Sequence, residues 1–151
     1  STDTSHLRLG DAEDATALHY ACAVGDLETL KLLLAYGAQV NVANVHEETP
    51  LLWALIEPND HARRKKIALL VKARARINHA NVDGETALHQ SFRDNEVTKF
   101  LLKHGAHVDA INMYQWTPLH YTALYVDLIA STQHLLTHDA NPNAADDEGF
   151  T

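Results

Sequence analysis

The most constraining feature of this chain is a connector whose length does not change. Thr16, Thr49, Thr86, Thr117 and Thr151 follow one another at spacings of 33, 37, 31 and 34 residues. Asn41, Asn78, Asp109 and Asn143 each stand eight residues before the next of these threonines. Length varies inside the units and never in the connector, which must therefore be a fixed structural element. A period in this range marks an array of stacked supersecondary units.

Each unit reads as a short helix, a turn, a second helix and an extended turn. Threonine opens the first helix as a cap, and proline after it in the second and fourth units (Pro50, Pro118) is tolerated in a first turn. Leu-His-x-Ala-x, as in Leu18-His19-Tyr20-Ala21, places small residues where close stacking is needed. The second helix carries a leucine stripe (Leu30, Leu32, Leu33, Leu34) and ends near Gly37 or Gly105. Neither helix buries its apolar side alone, so the expected fold is an all-α solenoid with a continuous core between neighbours.

These residues resemble the ankyrin repeat, with its Thr-Pro-Leu-His opening and Gly-Ala-x-Val-Asn close, over about residues 7–151. The resemblance implies stacked helix-turn-helix units with projecting β-hairpin or loop connectors. The repeats fall at about 12–44, 45–81, 82–112 and 113–146, with a partial fifth at 147–151. Leu7 and Arg8 sit where a preceding unit would close, and a segment of a longer protein is expected. Departures are local: Leu52 replaces the motif histidine, Arg74 and Asp139 replace the second glycine, and Pro58, Asn95 and Val126 fall near the first. His19, His89 and His120 are expected to hold the connector by hydrogen bonds. Asn41, Asn78 and Asn143 stand where family members are sometimes hydroxylated.

Composition narrows the function. A hydrophobic content of 46% supports a real core, and a formal charge of −8 argues against general nucleic-acid or anionic-membrane binding. One cysteine, Cys22, excludes a disulfide framework and favours a reducing compartment, cytoplasmic or nuclear. No apolar run is long enough to span a membrane. No nucleophile, base and phosphate-loop combination points to catalysis, and no cofactor is implied. His134/His138 and His104/His107 are pairs, and two ligands do not make a metal site.

The family binds other proteins on a concave surface of connector tips and first helices. Carried over by position, the tips are "DAEDA" (11–15), "NVHEE" (44–48), "NVDGE" (81–85), "NMYQW" (112–116) and "DDEGF" (146–150). They hold ten of the chain's 20 acidic residues and none of its 12 basic ones. Turn chemistry accounts for Asp and Asn there, though not for Glu13, Glu47, Glu48, Glu85 and Glu148. Tyr114, Trp116, Tyr125 and Phe150 would converge on one face, either as an anchor for a partner or as packing between connectors. With Met113, His46, Glu48, Asp83, Glu85, Arg93 and Asp94 they form the candidate partner-binding set. The expected partner is a basic protein segment, extended or helical, with an apolar anchor, bound by a monomeric domain. A methyl-lysine cage is a narrower version that needs rings at right angles. The remaining alternatives are a spacer that binds nothing strongly, and a basic patch of Arg63, Arg64, Lys65 and Lys66. Those four cations stand near a helix start, where the dipole disfavours them, and would serve an outer contact, anionic lipid or nucleic acid, or simply a solvated face.

Overall fold

The computed structural model describes residues 14–151. Eight helices pair in chain order: α1 (Ala17–Ala23) with α2 (Leu27–Ala35), α3 (Pro50–Ala54) with α4 (Asp60–Lys72), α5 (Ala87–Gln90) with α6 (Asn95–Lys103), and α7 (Pro118–Leu124) with α8 (Ile129–Thr137). First helices stack on first helices along the array, and α2 packs on α4 and α6 on α8, giving two rows. Leu18, Leu51 and Leu88 from the first row and Leu30, Leu70, Leu101 and Leu135 from the second are fully buried between them. Each such side chain contributes about 2 kcal/mol by leaving water. Ala21, Ala54 and Ala87 are buried with them, and their small size lets the first helices approach closely.

Among the described residues there is no strand, and the connectors are loops held by one side chain each. Asn44 Oδ1 accepts from the backbone N–H of His46 and Glu48, at 3.0 and 2.9 Å. Asn81, Asn112 and Asp146 repeat this with the amides two and four residues on. The fourth loop residue takes a left-handed backbone each time: Glu47 (φ 58°), Gly84 (78°), Gln115 (60°) and Gly149 (83°). A side chain that must reach two fixed amides leaves no freedom in loop length, which explains the invariant connector. The closing residue ties neighbours together: Asn41 bonds the Arg74 carbonyl and Arg76 amide, and Asn78 bonds the Gly105 carbonyl and His107 amide.

The motif histidines do what the pattern predicts in two units. His19 Nδ1 accepts from the Thr16 amide and faces its hydroxyl, while Nε2 donates to the Glu48 carbonyl at 2.9 Å. His89 joins Thr86 to the Trp116 carbonyl in the same way. His120 keeps the threonine bond, but its Nε2 is buried without a partner among the described residues. Burial lowers the pKa of His19 and His89, outweighing the carbonyl and nearby glutamate that pull it up.

At the ends of the second helices Gly37, Arg74, Gly105 and Asp139 all have φ between 65° and 91°. A Cβ at Gly37 or Gly105 would meet nothing within 4 Å, so the glycines serve conformation and not space. Arg74 and Asp139 therefore fit while carrying left-handed strain.

Two outcomes are expected. Arg74→Gly should raise stability and Gly105→Ala should lower it, each by about 1 kcal/mol in urea titration; equal signs would refute the strain assignment. Because folding lowers the pKa of His19 and His89 below the ordinary value, their contribution is complete above about pH 6.5. It is lost on acidification through that value toward the lower folded pKa, where the unfolded chain binds more protons. Melting temperature should fall from pH 7 to 5, and a His19→Gln, His89→Gln variant, less stable at pH 7, should show a shallower fall.

Candidate functional site

The fourth connector, residues 112–116, is closed by Asn112, which leaves Tyr114 54% exposed and Trp116 half-buried. The next connector lies beside it: the Asp147 amide donates to the Tyr114 carbonyl at 3.2 Å. Between the two loops opens a cleft of about 310 Å³ lined by Tyr114, Trp116, Asp146, Asp147 and Glu148. Two aromatic rings and three carboxylates thus share one solvent-accessible hollow. Asp146 spends one oxygen on its own loop, and Asp147 and Glu148 are exposed.

From Trp116 a row of rings continues along the first-helix row. Tyr121 meets the indole edge-on at 5.3 Å (71°), Phe92 stacks on Tyr121 at 5.5 Å, and Tyr125 stacks on Phe92 at 5.2 Å (14°). The Arg93 guanidinium lies 5.3 Å from the Phe92 centroid and 5.2 Å from that of Tyr125. Sequence reasoning placed Trp116, Tyr125 and Arg93 on this face and missed Phe92 and Tyr121. A signal existed for Phe92: it lies six residues after Thr86, where the other units have Cys22, Leu55 and Ala123.

The acidic rim is smaller than the sequence suggests. Glu48 turns inward to the Trp53 indole N–H and the Asn44 amide, both at 2.9 Å. Glu85 accepts from the Tyr121 hydroxyl and Asn112 Nδ2, both at 2.6 Å. Burial, with that carboxylate beside it, raises the Tyr121 pKa. Trp53 is buried, edge-on to His19 and Tyr20. Asp83, Met113 and Phe150 are exposed, and His46 is half-buried; the His46 and Asp83 carbonyls accept from the amides of Val82 and Met113 in the adjacent loops. Neither Met113 nor Phe150 lines the cleft. Glu13 lies outside the described residues.

Asp94 and the basic stretch require correction. Asp94 is 5% exposed; it caps α6 through the Val97 amide and accepts from Arg63 and Arg64, each at 2.8 Å. Burial alone would raise its pKa, yet the Arg64, Arg63 and Val97 donors together hold it below the usual carboxylate range. Lys66 is fully buried, donating to Glu57 at 2.5 Å and to the Cys22 carbonyl at 3.1 Å. Of the four cations only Lys65 is exposed and free of an ion pair among the described residues. The extra residues of this repeat explain the arrangement: they bring Glu57 to Lys66, cap α4 with Asn59, and set Asp60 against Arg63. Pairs 30 and 31 residues apart are invisible to a linear reading. Helices α4 and α6 approach each other only sparsely, and an outer groove of about 290 Å³ opens there, bordered by Arg64, Lys99 and Lys103 over Ile67 and Phe100.

Burial pushes the Cys22 thiol up to about 12, which leaves it unreactive. His104 and His138 bond carbonyls of their own helices, and no group of three or more metal-ligating side chains occurs among the described residues. No helix there is long and apolar enough to cross a membrane.

The family model described as Ankyrin repeats (3 copies) matches residues 3–81 and 60–146. Human inversin is 31% identical over 121 residues, covering 78% of this chain and 11% of that protein. A nematode homologue (Caenorhabditis elegans) of transient receptor potential cation channel subfamily A member 1 is 31% identical over 114 residues, covering 76% and 8%. An ankyrin-repeat protein of fowlpox virus is 31% identical over 106 residues, covering 70% and 15%. The chain therefore spans a small part of the length of these relatives.

Glu57→Ala should destabilise the fold by about 3–5 kcal/mol, because it leaves the Lys66 ammonium buried and unpaired. Lys66→Met combined with Glu57→Gln should recover most of that loss in urea titrations. A cost below about 1 kcal/mol for Glu57→Ala would mean that Lys66 reaches water.

Proposed function

The chain belongs to the ankyrin-repeat family, and on that premise we propose that it binds a basic protein segment with an apolar anchor on its concave face, at the Tyr114–Trp116 cleft. The family generally serves protein–protein interaction and is typically non-enzymatic. The observation that carries the finer reading is the cleft itself, where two aromatic rings sit against Asp146, Asp147 and Glu148. Carboxylates at the mouth steer a cationic segment in, and burial of its apolar anchor between Tyr114 and Trp116 slows its release. Aromatic residues of this kind carry most of the energy where they occur in interfaces, about 2 kcal/mol or more for one anchor.

The methyl-lysine reading is less favoured. Along the row from Trp116 to Tyr125 only the Trp116–Tyr121 step is near a right angle, the Tyr121 hydroxyl is turned inward to Glu85, and Arg93 already lies against Phe92 and Tyr125. Attachment through the basic stretch loses its support with the pairing of Arg63 and Arg64 and the burial of Lys66.

The test is an array of basic peptides probed with the parent domain, with a Tyr114→Ala, Trp116→Ala variant, and with Asp147→Asn, Glu148→Gln. With melting temperatures close to the parent's, both variants should bind at least tenfold more weakly, and higher salt should slow association. Binding that survives both variants, or follows Lys99 and Lys103, would move the contact to the outer groove. An array that captures nothing would favour a spacer.

A further inference from the structure

The two ends of the aromatic row carry opposite charge. At the Trp116 end stand the carboxylates of the cleft. At the Tyr125 end stands Arg93, exposed, with its guanidinium carbon and the centroids of Phe92 and Tyr125 at the corners of a nearly equilateral triangle of 5.2–5.3 Å sides. The rings hold this cation in place, and no carboxylate or carbonyl among the described residues accepts a hydrogen bond from it. Arg63 and Arg64, by contrast, are both committed to Asp94. An arginine that rests against two rings with its planar N–H edge unused offers that edge to a carboxylate, and the ring contacts reduce the side-chain freedom it has to lose.

We propose that Arg93 is a carboxylate receptor, so that the bound segment carries a cation, a short apolar stretch and then an acidic side chain. The inference rests on the concave-face reading above and makes it specific. Ring-to-ring steps of 5.3, 5.5 and 5.2 Å give the row a length of at most about 16 Å, which four or five extended residues cover at about 3.3–3.6 Å each. A segment with cations at both ends satisfies the cleft and meets repulsion at Arg93, so the arrangement selects against purely polybasic ligands. The order of charges is set in space and leaves either chain direction open.

The experiment uses fluorescein-labelled ten-residue synthetic peptides with Lys-Lys and Glu flanking four or five apolar residues, made in both sequence orders. Each has a Glu→Gln twin, and all are titrated against the parent domain and against Arg93→Gln by fluorescence polarisation. On the parent, Glu→Gln should weaken binding about three- to tenfold in the better order; on Arg93→Gln the twins should bind alike. Arg93 is exposed, and an unchanged melting temperature confirms the variant is folded. Glu→Gln twins that bind the parent equally, or a Glu preference that persists in Arg93→Gln, overturn the proposal. If the Glu preference is absent while Tyr114→Ala, Trp116→Ala still abolishes binding, the receptor role fails and the concave reading stands. If that aromatic variant binds normally, both fail. Concentration-dependent dimerisation that Arg93→Gln abolishes would make another copy's acidic loop the occupant and also overturn the proposal.

Discussion

One side-chain oxygen at the head of each connector sets the geometry on which the rest of the array depends. Asn44, Asn81, Asn112 and Asp146 each accept from two amides of their own loop, and the loop closes in one length and one shape. The threonine that caps the next helix then arrives at a fixed distance and orientation. In two units the motif histidine, His19 or His89, reaches forward to a carbonyl of the next connector. These bonds satisfy backbone groups that would otherwise be stranded between stacked helices. The apolar core follows from this phasing, because leucines on successive helices meet only if the repeats stay in register.

The second repeat solves the same stacking problem with charge. Leu52 cannot make the histidine bridge, and Trp53 packs on His19 and Tyr20 with its indole N–H on Glu48. Its longer turn supplies Glu57 for the buried Lys66, while Arg63 and Arg64 clamp Asp94 of the following repeat. In a buried pair such as Lys66–Glu57 desolvation offsets much of the attraction, so removing one partner costs more than the pair itself contributes. The outer groove between α4 and α6 opens where helix contact gives way to this ionic link.

Along the first helices, loop geometry and helix stacking converge on the aromatic row. Trp116 belongs to a connector, Tyr121 and Tyr125 to α7 and its end, and Phe92 and Arg93 to the turn after α5. Three separate elements contribute to one surface with carboxylates at one end and a cation at the other. A surface whose side chains already pack on one another has little conformational freedom left to lose in a further contact.

The pairing of helices, the constant connector and the histidine bridges were legible in the sequence, because each is a local pattern repeated at a period. Tyr114 and Trp116 were recognisable as tip residues for the same reason, their distance from Thr117 being enough to place them. Long-range partners were not legible. Lys66 reads like its neighbours Arg64 and Lys65, and only the fold puts it in the core opposite Glu57. Asp94 and Glu85 look like surface acids until Arg63, Arg64 and Tyr121 are brought to them from other repeats. Helix period and turn chemistry are written along the chain, whereas the side chain that neutralises a buried charge depends on how neighbouring repeats stack.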